Sequence, residues 1–571
     1  MNHKELDAHV HVAIDLTSPR NQEFKVTIKF KPKSKLVRFI LPVWTPGSYK
    51  IRDHAQYLFD LNIAQDNKCI EPKRVEASAW EIEVVNLSNI TIEYRIEARE
   101  LTVRTCYIDP DFASISLSAA VLLIDGYRNT AYQLLVNLPS NWKAYIPLVR
   151  TKSTYYAQDY DHFVDAPLTA GEFGSEPFFV QEKKHRLVLA GKIPKKLPIE
   201  FLHHLENVCE ACCQVMREEP PSGDNYLLVI QILDKAYGGL EHDNCAVIQY
   251  DWRTLAESSG YRRLLQLVGH EYFHQWNVRR LRPIEYNSYN YNKSIITDSL
   301  WFAEGITSYF DLALPMIAGI TSIDEFICDL SKEITIVLST PGSSYQTIAD
   351  SSREAWIKLY NSTIVSSSTQ VNYYHFGAIL AFCLDIRLRK VNSSLSAFLR
   401  TIWHIYGKTG RGYSRSDIKQ ELSYIDNNLS EELDLWLDGK NTLPLDNSIN
   451  LVGMTLEQSP LKKIYTGLVT TDKESYFLVK RVDRDSPASN AGLIVNDEII
   501  AVNNFRIKHS NDIDNLIIPE QKSLITYSRQ GLVKQSYLFA DTINEKKWHL
   551  KVDSKAHESC SALRQEWLKI I

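Results

Sequence analysis

The sequence LQLVGHEYFHQWNVRRLRP, Leu265–Pro283, carries two histidines four residues apart within an apolar run, and a glutamate follows the first histidine. Positions i and i+4 lie on one face of an α-helix, so the imidazoles of His270 and His274 can reach one metal ion. Glu271 lies one position round the helix, close enough to hold a water molecule at that ion. The preceding RRLLQLVG and the following Pro283 predict a helix of about 20 residues. The alternative is an ordinary core helix that carries two histidines.

A catalytic zinc ion needs a third protein ligand, and the segment DSLWFAEGITSYFDLALP offers Glu304. The segment predicts an apolar helix that stops at Pro315, in which a lone carboxylate is costly to bury without a partner. Gly305 weakens a helix and indicates that another element approaches closely. Asp311 falls on the same helix face as Glu304, where it can hold the second ring nitrogen of a histidine ligand. The alternative for Asp311 is a solvated helix residue.

The segment YGGLEHDN places Gly238 and Gly239 before Leu240 and Glu241. Glycines let a backbone approach a ligand, and a following strand can form hydrogen bonds with a peptide in extended form. Glu241 can then pair with the ammonium group of a substrate. A solvated turn with an acidic residue is the alternative interpretation.

The segment VNYYHFGAILAFCLDIRLR predicts a helix in which Phe376, Ile379, Leu380 and Cys383 share one face. Tyr373 and Tyr374 lie at its start, where a phenol can point into a cleft. On spacing alone, tyrosines that pack in the core are the better interpretation, and a phenol in a cleft is the alternative.

Composition and charge narrow the class of protein. The chain has 571 residues, 44% hydrophobic and 23% charged, with a net charge of −5, which indicates a globular protein of two to four domains. No basic block predicts a nucleic-acid partner. The start, MNHKELDAHVHVAIDL, lacks a signal pattern, and no apolar run reaches the roughly 18 residues of a membrane span. A cytoplasmic protein without a membrane partner is therefore expected. The nine scattered cysteines, including those of CEACC, fit reduced thiols.

The order of segments predicts a multidomain α+β protein. Short runs such as FKVTIKFKP, LVRFILPVW and ITIEYRIEA predict a β-sandwich-like N-terminal domain over residues 1–170. Strands followed by helices predict a catalytic domain over residues 171–445. Alternating strands and turns predict a further domain over residues 446–545. The charged residues 546–571 are expected to form a helical or loose tail.

Five segments together resemble the glycyl aminopeptidase family of zinc metallopeptidases. They are, in chain order, VWTPGSYKIRDHAQYL, HEYFHQWNVRRLRP, LWFAEGITSYF, YYHFG and the PDZ-like DSPASNAGLIVNDEIIAVNN. The resemblance covers nearly the whole chain, and the combination in this order is highly specific. Phe376 stands where the family usually has lysine, and Asn496 and Asn504 replace the usual turn glycines. Asparagine tolerates left-handed backbone angles, so these turns can survive.

The resemblance implies a thermolysin-like catalytic domain, a C-terminal PDZ-like domain and one Zn²⁺ ion per chain. It implies His270, His274 and Glu304 as ligands, Glu271 as general base, Gly238, Gly239, Leu240 and Glu241 as the exopeptidase motif, and Tyr374 as the residue that stabilises the oxyanion. The expected substrates are peptides with a free N-terminus, from which glycine or alanine is preferentially released, and the PDZ-like domain is expected to bind a peptide ligand. The alternatives are a zinc endopeptidase, if Glu241 does not reach the cleft, and a catalytically silent PDZ-bearing scaffold.

Overall fold

The computed structural model describes residues 9–570, apart from 192–196, 258, 364, 473–476 and 510. The strands up to residue 251 are β1 (Val10–Asp15), β2 (Glu23–Phe30), β3 (Leu36–Ile40), β4 (Leu58–Gln65), β5 (Lys68–Cys69), β6 (Lys73–Glu76), β7 (Ala79–Glu83), β8 (Ile90–Glu97), β9 (Cys106–Ile108), β10 (Phe112–Ile115), β11 (Leu123–Ile124), β12 (Tyr132–Asn137), β13 (Lys143–Tyr145), β14 (Val149–Thr151), β15 (Thr154–Ala157), β16 (Leu168–Gly171), β17 (Glu176–Val180), β18 (Lys183–Ala190), β19 (Leu227–Leu233), β20 (Tyr237–His242) and β21 (Cys245–Asp251). The later strands are β22 (Met454–Gln458), β23 (Lys462–Tyr465), β24 (Leu468–Asp472), β25 (Phe477–Val482), β26 (Glu498–Val502), β27 (Phe505–Arg506), β28 (Lys522–Arg529), β29 (Leu532–Phe539), β30 (Asp541–Asn544) and β31 (Trp548–Val552).

The α-helices are α1 (Tyr160–Val164), α2 (Phe201–Met216), α3 (Trp252–Ala256), α4 (Gly260–Phe273), α5 (Ile306–Ile317), α6 (Ile323–Leu338), α7 (Ile348–Arg353), α8 (Ser366–Thr369), α9 (Tyr373–Lys390), α10 (Leu395–Ile402), α11 (Arg415–Ser423), α12 (Asn427–Asp438), α13 (Leu445–Leu451), α14 (Pro487–Asn490), α15 (Asn511–Leu516) and α16 (Glu558–Lys569). This content confirms the predicted mixed α+β class. None of the helices in the described ranges is both long and apolar enough to cross a membrane.

The chain forms two compact units. Unit 1 comprises the described residues of Met1–Ile323, Val391–Asn427 and Lys569–Ile571, and unit 2 those of Asp324–Lys390 and Asn428–Leu568. The predicted boundaries at residues 170, 445 and 545 do not coincide with this division by compactness, and the four-segment layout stays a prediction.

The first part of unit 1 is built from β-sheets. An eight-stranded sheet has the order β14-β15-β12-β1-β2-β8-β4-β5, and two four-stranded sheets have the orders β13-β16-β10-β9 and β11-β3-β7-β6. Buried residues alternate with less buried ones along β2 and β8, as expected for strands that cover a core on one face. The predicted β-rich N-terminal domain is therefore confirmed.

The second part of unit 1 carries a five-stranded sheet of order β17-β18-β19-β21-β20. Strands β18, β19 and β21 run parallel, and β19 and β21 are almost fully buried, whereas β20 pairs antiparallel with β21 at the sheet edge. Helix α4 packs between α2 and α5. A Cβ atom at Gly269 would lie 2.7 Å from Leu314 Cδ1 and 3.2 Å from Val208 Cγ1, so this glycine permits the close approach of three helices.

Unit 2 combines helices with a small sheet of order β24-β25-β26-β28-β29, with β27 paired to β26. The sheet and α14 enclose an apolar core that includes Val479, Ala488 and Leu538. Asn496 and Asn504 have φ angles of 68° and 66°, the left-handed values that their place at the usual turn glycines requires.

The end of unit 2, where a helical or loose tail was expected, forms a strand and a helix. Strand β31 pairs antiparallel with β22, and α16 buries Trp567 completely. The Trp567 ring lies 5.8 Å from Phe326 and 5.3 Å from Phe382. Although α16 is rich in charged residues, its buried Trp567 side chain and the hydrogen bonds of Arg564 to the Val452 and Gly453 carbonyls hold it against the rest of unit 2.

Candidate active site

Helix α4 places the two motif histidines near its end, but the helix is shorter than predicted. It covers 14 residues and ends at Phe273, with His274 as the capping residue. The chain turns here because the His274 ring donates from Nδ1 to the carbonyl oxygen of Asn277, 2.6 Å away. The Asn277 amide in turn donates to the carbonyl oxygens of Phe302 and Ala303, at 3.0 and 3.1 Å. The turn therefore fixes both a histidine ring and the segment that precedes Glu304.

Glu304 lies in a π-helical turn, Trp301–Gly305, that leads into α5. The predicted stop at Pro315 is wrong, since α5 continues to Ile317. Proline lacks only its own amide hydrogen, and the amides of Ala318 and Gly319 donate to the carbonyls of Leu314 and Met316 to close the final turn. π-Turns of this kind often occur at functional sites.

The side chains of His270, His274 and Glu304 converge in a buried cluster. Glu304 Oε2 lies 3.5 Å from His270 Nε2 and 3.3 Å from His274 Nε2. The potential ligand atoms all lie within 4.8 Å of one another. Two imidazole nitrogens and one carboxylate oxygen are a donor set that suits a catalytic zinc ion. The residues present therefore fit the metal that the motif predicts.

Hydrogen bonds on the far side of each ring orient the histidines. His270 Nδ1 donates to Asp311 Oδ2 at 2.8 Å, and His274 Nδ1 is bound to the Asn277 carbonyl. Both Nε2 atoms are thereby directed towards Glu304, which is the usual way in which proteins orient ligand histidines. Asp311 thus lies within hydrogen-bond distance of a proposed ligand histidine, and its supporting role stays a prediction.

The buried charges of the cluster depend on one another. Burial alone would raise the pKa of Glu304, but His274 and His270 hold it well below its usual range. Burial also opposes the charged form of His270, whereas Asp311 and Glu304 raise its pKa well above the usual value. For Glu271, burial raises the pKa to about 7, against the opposing effect of the two histidines.

Glu271 faces strand β20 at the position of Gly239. A Cβ atom at Gly239 would overlap the Glu271 carboxylate, so only glycine leaves room for this glutamate. Glu241 lies further along the same strand, is only 4% exposed, and its Oε1 atom has no hydrogen-bond partner among the described residues. Oxygen atoms of Glu241 and Glu271 and a nitrogen of His274 form a second group within 4.8 Å.

The segment YGGLEHDN is not a turn that precedes a strand, because Tyr237–His242 is itself the edge strand β20. Its glycines adopt strand positions opposite Gln249 and Ile248 of β21. Leu240 is fully buried in a neighbouring core cluster. The structure therefore brings Gly239 and Glu241 to the histidine cluster through an edge strand rather than through a loop.

Three residues of the N-terminal β-rich part reach the site and were not singled out from the sequence. The Tyr49 hydroxyl donates to Glu304 Oε1 at 2.9 Å, and Arg104 Nη2 donates to the Gly239 carbonyl at 3.0 Å. A Cβ atom at Gly47, where φ is +84°, would lie 2.7 Å from Glu241 Oε1. These contacts join residues between 135 and 255 positions apart, and contacts over such distances leave no periodic signal in the sequence.

Tyr373 and Tyr374 begin helix α9 of unit 2. Tyr373 is fully buried, whereas Tyr374 is partly accessible. Their rings stack with centroids 4.7 Å apart, and the Tyr374 hydroxyl lies 2.9 Å from that of Tyr360. Of the two tyrosines, Tyr374 is thus the one that solvent can reach.

Three family profiles match the sequence, in the order that the motifs predict. The peptidase M61 N-terminal domain matches residues 11–172, M61 glycyl aminopeptidase matches residues 263–380, and the PDZ domain matches residues 478–526. None of the curated proteins compared with the chain matches it.

Among solved structures, an aminopeptidase N family protein from Idiomarina loihiensis is similar over 98% of this chain and 100% of that chain, with 24% identity and a TM-score of 0.90. The two chains therefore share a fold. An M1 zinc metallopeptidase from Deinococcus radiodurans aligns over 77% of this chain and 95% of that chain, with 12% identity and a TM-score of 0.47. From its two M61 matches and the order of its motifs, this chain is a metallopeptidase that resembles the M61 glycyl aminopeptidases, and its C-terminal part matches a PDZ domain.

Proposed function

We propose that this chain is a zinc-dependent aminopeptidase that releases small N-terminal residues, preferably glycine or alanine, from peptides. The main support for this proposal is the buried cluster of His270, His274 and Glu304. Beside it, Glu271 and Glu241 each have a carboxylate oxygen without a hydrogen-bond partner among the described residues. The preference for small first residues rests on the family resemblance.

One zinc ion per chain is proposed, with His270, His274 and Glu304 as its ligands. When bound, zinc supplies Lewis-acid chemistry that polarises the peptide carbonyl and acidifies a water molecule. Asp311 and the Asn277 carbonyl hold the two rings in the orientation that ligation requires. Tyr49 holds the second oxygen of Glu304.

Glu271 is proposed as the general base. Its carboxylate accepts a proton from the attacking water and later returns it to the leaving amine. Gly239 supports this role, because any larger residue at that position would displace the carboxylate. A Gln side chain keeps the size of Glu271 but cannot accept the proton.

Glu241 is proposed to bind the ammonium group of the substrate, as the last residue of Gly238, Gly239, Leu240 and Glu241. A buried carboxylate oxygen without a partner is costly, and a substrate cation compensates for it. With the amine fixed at Glu241, the first peptide bond lies beside Glu271. This assignment distinguishes an aminopeptidase from an endopeptidase.

Tyr374 is proposed, on its sequence motif, to donate to the oxygen on which negative charge develops. Tyr373 is the alternative. We expect Tyr374→Phe to lower kcat by about 10²-fold or more with metal binding intact, while Tyr373→Phe stays near wild type. The reverse result would reassign the role to Tyr373.

Peptides with a free N-terminus are the proposed substrates, and the PDZ domain is proposed to bind a separate peptide. The test of the main proposal compares matched glycyl peptides with a free and an acetylated amine. The wild type should cleave only the free form, and Glu241→Gln should lose about 2–5 kcal/mol of that discrimination. Glu172→Gln, which changes an exposed acid bonded to Asn141, is the matched control.

The same assay tests the two rival functions. Efficient internal cleavage of acetylated peptides would support a zinc endopeptidase. A wild-type protein that holds zinc yet cleaves no peptide, or that holds no zinc, would support a silent PDZ-bearing scaffold.

A further inference from the structure

A cavity of about 470 Å³ lies in unit 1, and none of the residues proposed for catalysis lines it. Residues of strands β12, β13, β14, β15 and β18 form its walls. A volume of this size is typical of sites for small molecules. Trp142, Tyr145 and Tyr155 supply aromatic surface, while Lys143, Arg150 and Arg186 supply three positive charges.

The positive charges of this cavity are not compensated by the protein. No acidic residue lines the cavity, and none of the three cations has a carboxylate within 4.0 Å among the residues that the structure describes. Other arginines of unit 1 are paired, as Arg128 is with Asp161 at 2.8 Å. Like charges around one cavity repel each other unless an anion joins them.

The hydroxyl groups of Tyr145 and Tyr155 are hydrogen-bonded within the protein. The two tyrosines therefore offer a ligand the apolar surface of their rings. The Tyr145 hydroxyl donates to the Phe173 carbonyl at 2.6 Å, and the Tyr155 hydroxyl to the Ala144 carbonyl at 3.4 Å. The Arg150 guanidinium lies 5.7 Å from the centre of the Tyr155 ring. Burial raises the pKa of both phenols and Arg186 counteracts it for both, which locates the Arg186 charge near each ring.

We propose that this cavity binds an organic anion, whose carboxylate or phosphate group lies among Lys143, Arg150 and Arg186 and whose apolar part contacts Trp142. Guanidinium groups bind such oxyanions through paired hydrogen bonds. The half-buried Arg186 is the expected anchor, because a partly desolvated cation gains most from a partner.

Calorimetric titration of the intact chain at low salt with inorganic phosphate and with benzoate tests this site. We expect saturable binding of one probe per chain, and the stronger probe identifies phosphate or aromatic carboxylate as the ligand class. Arg186→Gln and the more exposed Lys143→Gln should each weaken binding by about tenfold or more. The control Arg20→Gln removes the same charge from an exposed arginine elsewhere and should bind normally. Equal binding by wild type and both cavity variants, or no saturable binding of either probe to wild type, would overturn the proposal.

A second feature concerns the active site, where Tyr237 extends the row of residues on strand β20. Tyr237, Gly239 and Glu241 alternate along the strand and so point to one face. At about 3.4 Å per residue, Tyr237 lies about 7 Å beyond Gly239 and about 14 Å beyond Glu241. Glu271 faces Gly239, so Tyr237 lies on the opposite side of Glu271 from Glu241.

Tyr237 is accessible to a ligand while its neighbours on the same face are buried. It is 69% exposed, against 4% for Glu241, and its ring packs 5.8 Å from that of Tyr250. The surrounding protein, followed by the charges of Asp311 and Glu271, raises the pKa of its hydroxyl. The accessible ring therefore extends the face of β20 that Glu271 contacts at Gly239.

We infer that Tyr237 is a specificity-determining residue that contacts the residues after the cleaved bond. This inference rests on the proposed aminopeptidase function. A peptide with its amine at Glu241 and its first carbonyl at Glu271 places its next residues along β20 towards Tyr237. The exposed ring then favours apolar or aromatic side chains there.

Rates for Gly-Phe-amide and Gly-Gly-amide test this inference. Tyr237→Ala should lower kcat/KM for Gly-Phe-amide about tenfold more than for Gly-Gly-amide, whereas the control Tyr424→Ala, which removes another exposed tyrosine of unit 1, should not alter the ratio. An unchanged ratio in Tyr237→Ala would overturn the role of Tyr237 alone. Failure of wild type to cleave either dipeptide would instead overturn the proposed function.

Discussion

Glu271 and His274 lie close together at the end of α4, but substituting Glu271 should sharply reduce turnover, whereas substituting His274 should abolish metal binding. We expect Glu271→Gln to keep stoichiometric zinc while turnover falls by roughly 10²–10⁴-fold, the usual contribution of a positioned acid–base group. His274→Ala should lose nearly all bound metal, because it removes one of three converging donors. Metal analysis and initial rates on both variants check this. Full zinc occupancy in His274→Ala would contradict the ligand assignment, and normal turnover in Glu271→Gln would contradict the base assignment.

Tyr49 is expected to act on metal affinity, since its hydroxyl donates to a buried oxygen of Glu304. Tyr49→Phe removes only that hydroxyl, and loss of such a supporting bond usually weakens metal binding by about 10–100-fold. Competition with a zinc chelator gives the dissociation constant directly. Tyr160→Phe is a matched control, because that buried hydroxyl donates to the Val121 carbonyl instead. Equal zinc affinity in wild type and Tyr49→Phe would show that Glu304 is positioned without Tyr49.

His54 should make the protein less stable in acid. Burial, followed by the charge of Arg52, lowers the pKa of this fully buried imidazole to about 3. The unfolded chain, with a pKa near 6.5, takes up the proton first as the pH falls. The contribution of His54 to stability is therefore complete above about pH 6.5 and is lost as the pH falls towards 3. Urea unfolding between pH 7 and 4.5 should show a shallower pH dependence for His54→Gln than for wild type, and identical slopes would contradict the prediction.

At the scale of elements, helix α16 should contribute to the stability of unit 2 despite its charged sequence. Trp567 is fully buried against Phe326 and Phe382, and truncation of a buried tryptophan typically costs about 3–5 kcal/mol. We expect Trp567→Ala to lower the free energy of unfolding by that amount in denaturant titrations. Leu461→Ala, at a side chain that is 63% exposed, should change it by less than about 0.5 kcal/mol. Similar stabilities for the two variants would restore the interpretation of a loose tail.

Local sequence patterns predicted most elements near the candidate site but not the partners of those elements. Periodicity located α2, α9 and the buried strands β19 and β21, because each depends on which neighbouring residues are apolar. The end of α4 was misplaced, since it depends on a bond from His274 to the Asn277 carbonyl. The contacts of Tyr49 and Arg104 were missed for a similar reason: each joins residues far apart in the chain.

At the scale of the whole molecule, the sequence predicted the order of the domains. It did not predict that a later segment of the chain belongs to unit 1. Residues 391–427 return to unit 1 after a long segment of unit 2. Long-range contacts explain the return, since Arg400 donates to the Val215 carbonyl at 2.7 Å and Tyr413 packs 4.9 Å from Phe302. A hydrophobic pattern reports that a residue is buried, and it does not identify the segment that covers it.

Removal of the metal should lower the stability of unit 1 and leave that of unit 2 unchanged. All three proposed ligands, together with Asp311 and Tyr49, belong to unit 1, and a metal that binds only the folded state stabilises it by about 2.7 kcal/mol at 100 times its dissociation constant. In scanning calorimetry we expect a chelator to lower the temperature of the transition that disrupts unit 1 and to leave the transition of unit 2 in place. Trp567→Ala identifies the unit 2 transition by shifting it, and His274→Ala should show no response to the chelator. A chelator-induced shift confined to the transition that Trp567→Ala also shifts would place the metal in unit 2 and refute the ligand set.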